Sequence, residues 1–200
     1  MKDFYTLFTV IIILGFIIFV VRRQMGPTAN KRVIDESIAL LQRRLSGARG
    51  AYVPASGIYE AFKEDCTDPY NLRNMAYDIL SHCGMTASGL ELRSQEVLDS
   101  EGAAGTYSHQ NGISTITIRV SRYARDNVVL AVLIHECMHY FLRHSGISFS
   151  DTHENEILTD TATVYMGFFE YMYHGYIMVG YLRDSELLYV KKALEADQSL

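Results

Sequence analysis

The chain has 200 residues, of which 48% are hydrophobic and 20% are charged, and its formal net charge is −5. This length and composition are typical of one folded domain with a small addition, and they exclude a disordered chain. They also argue against a nucleic-acid partner, because phosphate binding requires clustered lysine and arginine.

The first predicted element is a transmembrane helix at residues 4–21, which contain no charge and are long enough to cross a bilayer. A cleaved signal peptide is the alternative, but no small-x-small cleavage site follows the segment. Four basic residues lie within residues 22–32, against Lys2 alone before the span. The positive-inside rule therefore predicts a single-pass membrane protein whose N-terminus is outside and whose C-terminal domain is cytoplasmic.

The next segment is predicted to be helical. Hydrophobic periodicity favours helices over residues 33–45 and around 58–64. Asp68 followed by Pro69 is typical of an N-cap and a first helical residue, which predicts a third helix to about residue 83. The three cysteines are an odd and sparse set, so we expect buried or free thiols rather than a disulfide framework, with a Cys66–Cys83 bridge as the alternative.

A β region follows these helices. Residues 90–98 form a predicted strand, and residues 104–120 form a predicted hairpin. Asn111-Gly112 is the expected turn, since this dipeptide tolerates the positive φ angles that a tight hairpin requires.

The second arm of the hairpin alternates between apolar and polar side chains. Isoleucine and valine occupy positions 116, 118 and 120, which predicts an edge or near-edge strand with one buried face. An edge strand can pair with an extended peptide. Thr115 and Thr117 on its polar face are therefore candidate substrate-binding residues.

Three helices are predicted to complete the chain, at residues 126–144, 153–174 and 184–196. Asp126 is the expected cap of the first, and Gly146 lies just beyond its end. The predicted organisation has three parts. These are an anchor at residues 1–21, a linker at 22–32 and a domain at 33–200.

The sequence HECMH places three titratable groups in the apolar helix at 126–144. His135 and His139 are four residues apart, so both imidazoles lie on one face, one turn apart. Two imidazoles at this spacing can occupy two corners of a Zn²⁺ tetrahedron, and Glu136 can serve as a general base towards a water molecule. The alternative is a hydrogen-bonded pair of core histidines, because unpartnered polar groups are costly to bury.

The third metal ligand is expected in the next helix. Glu156 lies seventeen residues after His139, and Asp160 is one turn further on the same face. Asp160 could accept the remaining N–H of a ligating histidine and fix its tautomer. His153 and Glu154 are the nearest competitors of Glu156. His144 is one residue short of the His position in the extended H-E-x-x-H-x-x-G-x-x-H pattern, so we do not expect it to bind the metal.

These residues carry a resemblance to a known family. His135-Glu136-x-x-His139 followed by Asn155-Glu156-x-x-Thr159-Asp160 resembles the gluzincin metallopeptidases, whose second motif has serine where this chain has Thr159. The resemblance covers about residues 113–175. It implies that Glu156 is the third ligand, that Asp160 orients His135 and that Asn155 lies close to His139.

The resemblance also implies an α+β fold. We expect an N-terminal transmembrane helix followed by a mainly helical zincin-like domain with a small antiparallel sheet. The expected activity is that of a membrane-anchored zinc metallopeptidase acting on a peptide or protein substrate. Tyr165, His174 and Tyr181 are candidate donors to the oxyanion of the transition state.

Two other functions remain as alternatives. A non-catalytic, zinc-binding regulatory or scaffold domain tethered to the membrane would also need ligands, but it would have no use for Glu136 as a base. An intramembrane protease places H-E-x-x-H in a spanning helix, whereas the apolar stretch at residues 128–142 is too short for a typical span.

Overall fold

The structure is a computed structural model and describes residues 30–97, 103–175 and 180–197. The described residues form an α+β domain with a three-stranded sheet. Its elements, in chain order, are α1 (Lys31–Arg44), α2 (Ser56–Glu64), α3 (Pro69–His82), β1 (Leu90–Val97), β2 (Ala103–Gln110), β3 (Ile113–Ser121), α4 (Asp126–His144), α5 (Thr152–Tyr165), α6 (Phe169–Gly175) and α7 (Asp184–Asp197).

The predicted hairpin is confirmed, but the sheet that contains it differs from the expectation. Asn111 and Gly112 have φ angles of 52° and 80° and connect β2 to β3 as antiparallel neighbours. The strand order is β1-β3-β2, and β1 runs parallel to β3 with Leu90 opposite Ser114. The prediction of a purely antiparallel sheet is therefore wrong, because one of its two pairings is parallel.

Strand β3 is the central strand of three, so of the expected edge or near-edge positions it has the near-edge one. Its alternating isoleucines and Val120 are buried, as the sequence pattern predicts, but both of its sides pair with neighbours. The alternation indicates which face of a strand is buried and carries no information on its lateral neighbours. Strand β2, whose sequence is less apolar, lies at the edge of the sheet.

Helix α4 lies at the centre of the domain. It packs against β2 and β3 on one side and against α3, α5 and α6 on the others. Leu133, Ile134 and Cys137 are fully buried in it. Full burial of one such aliphatic side chain contributes about 2 kcal/mol, so this packing holds the helix rigidly in the core. The three cysteines are buried free thiols, as expected.

The helix predicted over residues 153–174 is interrupted. Helix α5 ends at Tyr165, and α6 starts at Phe169. Gly167 between them has a φ of +91°, and a Cβ at this position would collide with the backbone of Gly50. The backbone N–H of Tyr52 donates to the carbonyl of Gly167 at 2.9 Å. The packing of this loop against residues distant in the sequence therefore interrupts the helix, although the hydrophobic periodicity of the sequence continues through it.

Local signals at the helix ends are mostly confirmed. The Asp68 carboxylate accepts a hydrogen bond from the backbone N–H of Tyr70 at 2.9 Å, and Pro69 is the first residue of α3. Gly146 has a φ of +63° just beyond α4. Asp126 is the first residue of α4, while Arg125 occupies the N-cap position.

The membrane-spanning part of the predicted architecture has to be corrected. Among the described residues, no helix combines the length and the apolar character needed to cross a bilayer. The predicted span at residues 4–21 lies outside the described residues. The predicted single-pass membrane location with a cytoplasmic catalytic domain is therefore not supported.

Candidate metal centre

Helix α4 presents the H-E-x-x-H residues at the surface of the core. His135 and Glu136 are each only 5% exposed, and His139 is partly buried. The rings of His135 and His139 lie 4.7 Å apart between centroids. Their Nε2 atoms are 3.0 Å apart, so one helical turn brings the two nitrogens to a common point.

Helix α5 brings Glu156 to the same point. Its Oε2 atom lies 3.1 Å from Nε2 of His139 and 3.3 Å from Nε2 of His135. When two ligand atoms are each bonded at about 2.05 Å to a tetrahedral metal ion, the distance between the two ligand atoms is about 3.3 Å. The three atoms thus approximate one face of such a tetrahedron. His135, His139 and Glu156 form a group that could hold a metal ion.

Hydrogen bonds on the far side of each ring favour the tautomer that a metal ligand needs. Nδ1 of His135 lies 2.8 Å from Oδ1 of Asp160, a carboxylate that can only accept when ionised. The Thr159 hydroxyl donates to the carbonyl of Asn155 at 2.9 Å and lies 3.3 Å from Nδ1 of His139, from which it can accept. Both Nδ1 atoms can therefore act as donors, and both Nε2 atoms lie on the side of the Glu156 carboxylate, where they would be available to a metal ion once deprotonated.

Asp160 is anchored by the chain beyond α6. It is fully buried, and its Oδ2 atom accepts the backbone N–H groups of Tyr181 and Leu182, each at 2.9 Å. Three hydrogen bonds thus compensate the burial of this carboxylate. The ring of Tyr181 stacks near His135, with centroids 6.3 Å apart. The segment starting at residue 180 is consequently fixed to the metal centre.

The ionisable groups of the centre have shifted pKa values. Burial opposes protonation of His135, but hydrogen bonds with Asp160 and Glu156 outweigh it and raise its pKa to about 10. Burial likewise acts to raise the pKa of Glu156, but hydrogen bonds from both histidines lower it to about 2. Burial raises the pKa of Glu136, against the opposing effect of the two histidines. A metal ion at this site would have to displace the Nε2 proton of His135.

A cleft of about 430 Å³ opens beside the three candidate ligands. Its walls include Glu136, Asn155 and Tyr181 and the edge strand over residues 104–107. Along β2, alternate side chains face α4. Gly105 faces Glu136, and Tyr107 stacks on His139 with ring centroids 6.0 Å apart.

Two residues of this cleft were not predicted from the sequence. A Cβ at Gly105 would lie 2.5 Å from Cγ of Glu136, so the edge strand approaches the helix closely at this point. A glycine within a strand is a known signal of such an approach, and it was present in the predicted hairpin. Tyr107 carries no comparable signal, because tyrosine is common in strands and this chain contains fourteen.

The other predicted site residues fall into two groups. Asn155 lines the cleft together with His139, although it is Thr159 that contacts the His139 ring. Thr115 and Thr117 lie on the central strand, on the face opposite its buried isoleucines. They are absent from the walls of the cleft, so the structure does not bring these two predicted substrate-binding residues to the metal centre.

Tyr165, His144 and His174 are also separate from the centre. Tyr165, at the far end of α5, is 1% exposed and lines a different cavity, near Gly47. His144 is exposed and stacks on Tyr140, as expected for a residue that does not bind the metal. His174 is exposed and lies 3.6 Å from Glu170. Of the three candidate oxyanion donors, Tyr181 alone lines the cleft.

The contact between Asp160 and His135 leads to a prediction about metal affinity. Asp160→Asn removes the charge that holds the His135 tautomer, so we expect zinc affinity to fall by about 10–100-fold. Competition with a chromophoric chelator measures this change. Asp68→Asn is the matched control, because it also removes one carboxylate charge and asparagine caps a helix equally well. Equal zinc affinities of the two variants would contradict the orienting role.

The centre thus consists of two histidines, one glutamate, their hydrogen-bonded supports and a neighbouring carboxylate that faces the same cleft. The group could hold a metal ion, and its geometry by itself does not identify the element. Comparisons of the chain with protein-family models, with curated proteins and with solved structures find no match.

Proposed function

We propose that the protein is a zinc-dependent metallopeptidase of the gluzincin type, with Zn²⁺ bound by His135, His139 and Glu156. The observation that carries this proposal is the convergence of two Nε2 atoms and one carboxylate oxygen at tetrahedral spacing. A cation between these three atoms would replace the protons that otherwise link them. Two imidazoles and one carboxylate are a common ligand set of catalytic zinc.

Glu136 distinguishes the proposed enzyme from a structural metal site. Within the described residues, three side chains make up the candidate ligand group, so a four-coordinate metal ion held by them would keep one position for water or substrate. A structural zinc site is normally closed by a fourth protein ligand. Glu136 lines the same cleft without belonging to the ligand group, which is the position expected of a general base.

The reaction we propose is hydrolysis of a peptide bond. Bound zinc would supply Lewis-acid activation of the attacking water and of the scissile carbonyl. Glu136 accepts the proton of the attacking water at its carboxylate, and its raised pKa brings it nearer to the neutral range in which a general base is efficient. The same carboxyl group then donates that proton to the leaving amine. Tyr181 is the proposed donor to the developing oxyanion.

The substrate is proposed to bind along β2. This strand has one side paired with β3, and its residues 104–107 form a wall of the cleft. An extended peptide could add to the edge through backbone hydrogen bonds and place its scissile bond beside Glu136. This proposal transfers to β2 the role that the sequence pattern had suggested for Thr115 and Thr117.

Metal removal and replacement test the proposed function. We expect one equivalent of zinc in the purified protein and cleavage of an unstructured peptide mixture, detected by mass spectrometry. Dialysis against a chelator should abolish cleavage, and added zinc should restore it. Metal binding without cleavage of any peptide would instead favour the non-catalytic, zinc-binding alternative.

A substitution at the edge strand tests how Glu136 is positioned. Gly105→Ala places a methyl group against the Glu136 side chain, so we expect the carboxylate to move and peptide hydrolysis to fall at least tenfold. Zinc content should not change, because Gly105 is near the base and not part of the ligand group. Gly57→Ala is the control, since nothing lies within 4 Å of its added Cβ. Full activity of Gly105→Ala would refute the close-approach argument.

A further inference from the structure

A second cavity adjoins the cleft at the C-terminal end of α4. It has a volume of about 570 Å³ and shares Tyr107, His139 and Asn155 with the metal centre. The rest of its wall includes His109, Arg143 and His144. The two cavities therefore form one continuous groove along the edge strand, with the candidate ligand His139 between them.

The second cavity has a cationic wall. Arg143 lines it, and the Arg44 guanidinium reaches its rim by donating to the carbonyl of Gly146 at 3.0 Å. None of the described residues that line this cavity carries a carboxylate. The carboxylates of the groove, Glu136 and Glu156, line the adjoining cleft, so the positive potential is local to the Arg143 end, where it favours an anionic ligand group.

The histidines of this wall are held in place. Ser114 on the central strand lies 2.9 Å from Nδ1 of His109 and 3.1 Å from the Tyr107 hydroxyl. His144 donates from Nδ1 to the carbonyl of Tyr140 at 2.8 Å, and its ring lies edge-on to His109. Fixed side chains lose less conformational entropy on binding, which suits them to ligand recognition.

We propose that this cavity is a specificity subsite that accepts an acidic side chain of the peptide substrate, with Arg143 as its main contact. The inference rests on the proposed function, because it assumes a peptide lying along β2. Side chains of an extended peptide project to alternate sides at about 3.3 Å per residue. A peptide with its scissile bond beside Glu136 can thus place another side chain in the second cavity, where the Arg143 guanidinium can bind a carboxylate through two hydrogen bonds.

Equilibrium binding to the zinc-loaded Glu136→Gln protein tests this subsite without any catalytic turnover. The probes are fluorescently labelled peptides with blocked ends and otherwise uncharged side chains. Each peptide of the first set carries one glutamate, at a different position in each peptide. Each peptide of the second set has glutamine at the corresponding position. We expect one position at which glutamate binds about tenfold more tightly than glutamine. A glutamine peptide with a free C-terminal carboxylate distinguishes recognition of a side chain from recognition of a chain end.

Variants locate the contact. In the Glu136→Gln protein, the additional substitution Arg143→Gln should remove the preference for glutamate, whereas Arg143→Lys should retain part of it. Arg73→Gln is the matched control, because Arg73 is exposed on α3, away from both cavities. Three results would overturn the proposal. Glutamate and glutamine peptides could bind with equal affinity at every position, or no glutamate peptide could bind. The third result is a preference for glutamate that persists in the Arg143→Gln variant.

The results separate this inference from the proposed function. If acidic peptides bind preferentially but the protein with Glu136 cleaves none of them, the subsite stands and the peptidase assignment fails. If peptides are cleaved with no preference for an acidic residue at any position, the peptidase assignment stands and the subsite fails.

Discussion

Replacing Glu136 with glutamine is expected to reduce peptide hydrolysis by at least about 100-fold while leaving the zinc content unchanged. Glutamine has nearly the same shape as glutamate, so it fits the narrow space against Gly105, but it cannot accept a proton at neutral pH. Elemental analysis measures the bound zinc, and an assay on a cleavable peptide measures the rate.

The control for this experiment is Glu154→Gln. Glu154 lies at the start of α5 and pairs with Arg32 at the surface, outside the cleft. A surface ion pair contributes about 0–1 kcal/mol, so this variant should fold and retain full activity. Hydrolysis by Glu136→Gln within threefold of the unmodified protein would exclude Glu136 as the general base.

The second large effect is expected for Glu156→Ala, which removes one of the three candidate ligands. Loss of a supporting hydrogen bond to a metal ligand typically costs 10–100-fold in affinity, and loss of the ligand itself should cost more than about 100-fold. Because a bound metal stabilises the folded state, zinc should also cease to raise the thermal denaturation temperature of this variant. Isothermal titration and thermal denaturation with and without zinc measure both effects.

Neighbouring residues provide sharp controls for Glu156. His153→Ala and His144→Ala each remove a possible ligand that the structure keeps outside the group of three. Both variants should bind zinc as tightly as the unmodified protein. Weakened zinc binding in either, together with normal binding by Glu156→Ala, would overturn the ligand assignment.

Most of the metal centre follows from short-range spacing. Residues four apart on a helix lie on one face, so His135 and His139 had to meet if residues 126–144 formed a helix. The same reasoning placed Glu156 and Asp160 on one face of α5. The contact between Asp160 and His135 agrees with the expected pairing. The support of His139 by Thr159 was not expected, because the sequence indicates the presence of a hydroxyl group but not its partner.

The walls of the cleft could not be predicted in the same way. The alternation in residues 114–120 correctly indicated a buried face, but it left open whether the strand lies at the edge or next to it, and β3 is the central strand of three. Whether a strand is central or peripheral depends on which other strands pair with it, and β1 pairs with β3 from more than twenty residues away in the sequence. For this reason Thr115 and Thr117, the predicted substrate-binding residues, do not line the cleft.

The sequence by itself indicated the histidine pair, the neighbouring candidate base Glu136 and the ends of most helices, because these depend on helical spacing and on caps within a few residues. Only the tertiary structure decided which strand borders the metal centre, where the helix after Tyr165 breaks and which cationic side chains line the adjoining cavity. These features arise where distant segments pack together. Gly105 against Glu136 and Gly50 against Gly167 are contacts of this kind. Local periodicity does not encode such long-range contacts, since each depends on the arrangement of the whole domain.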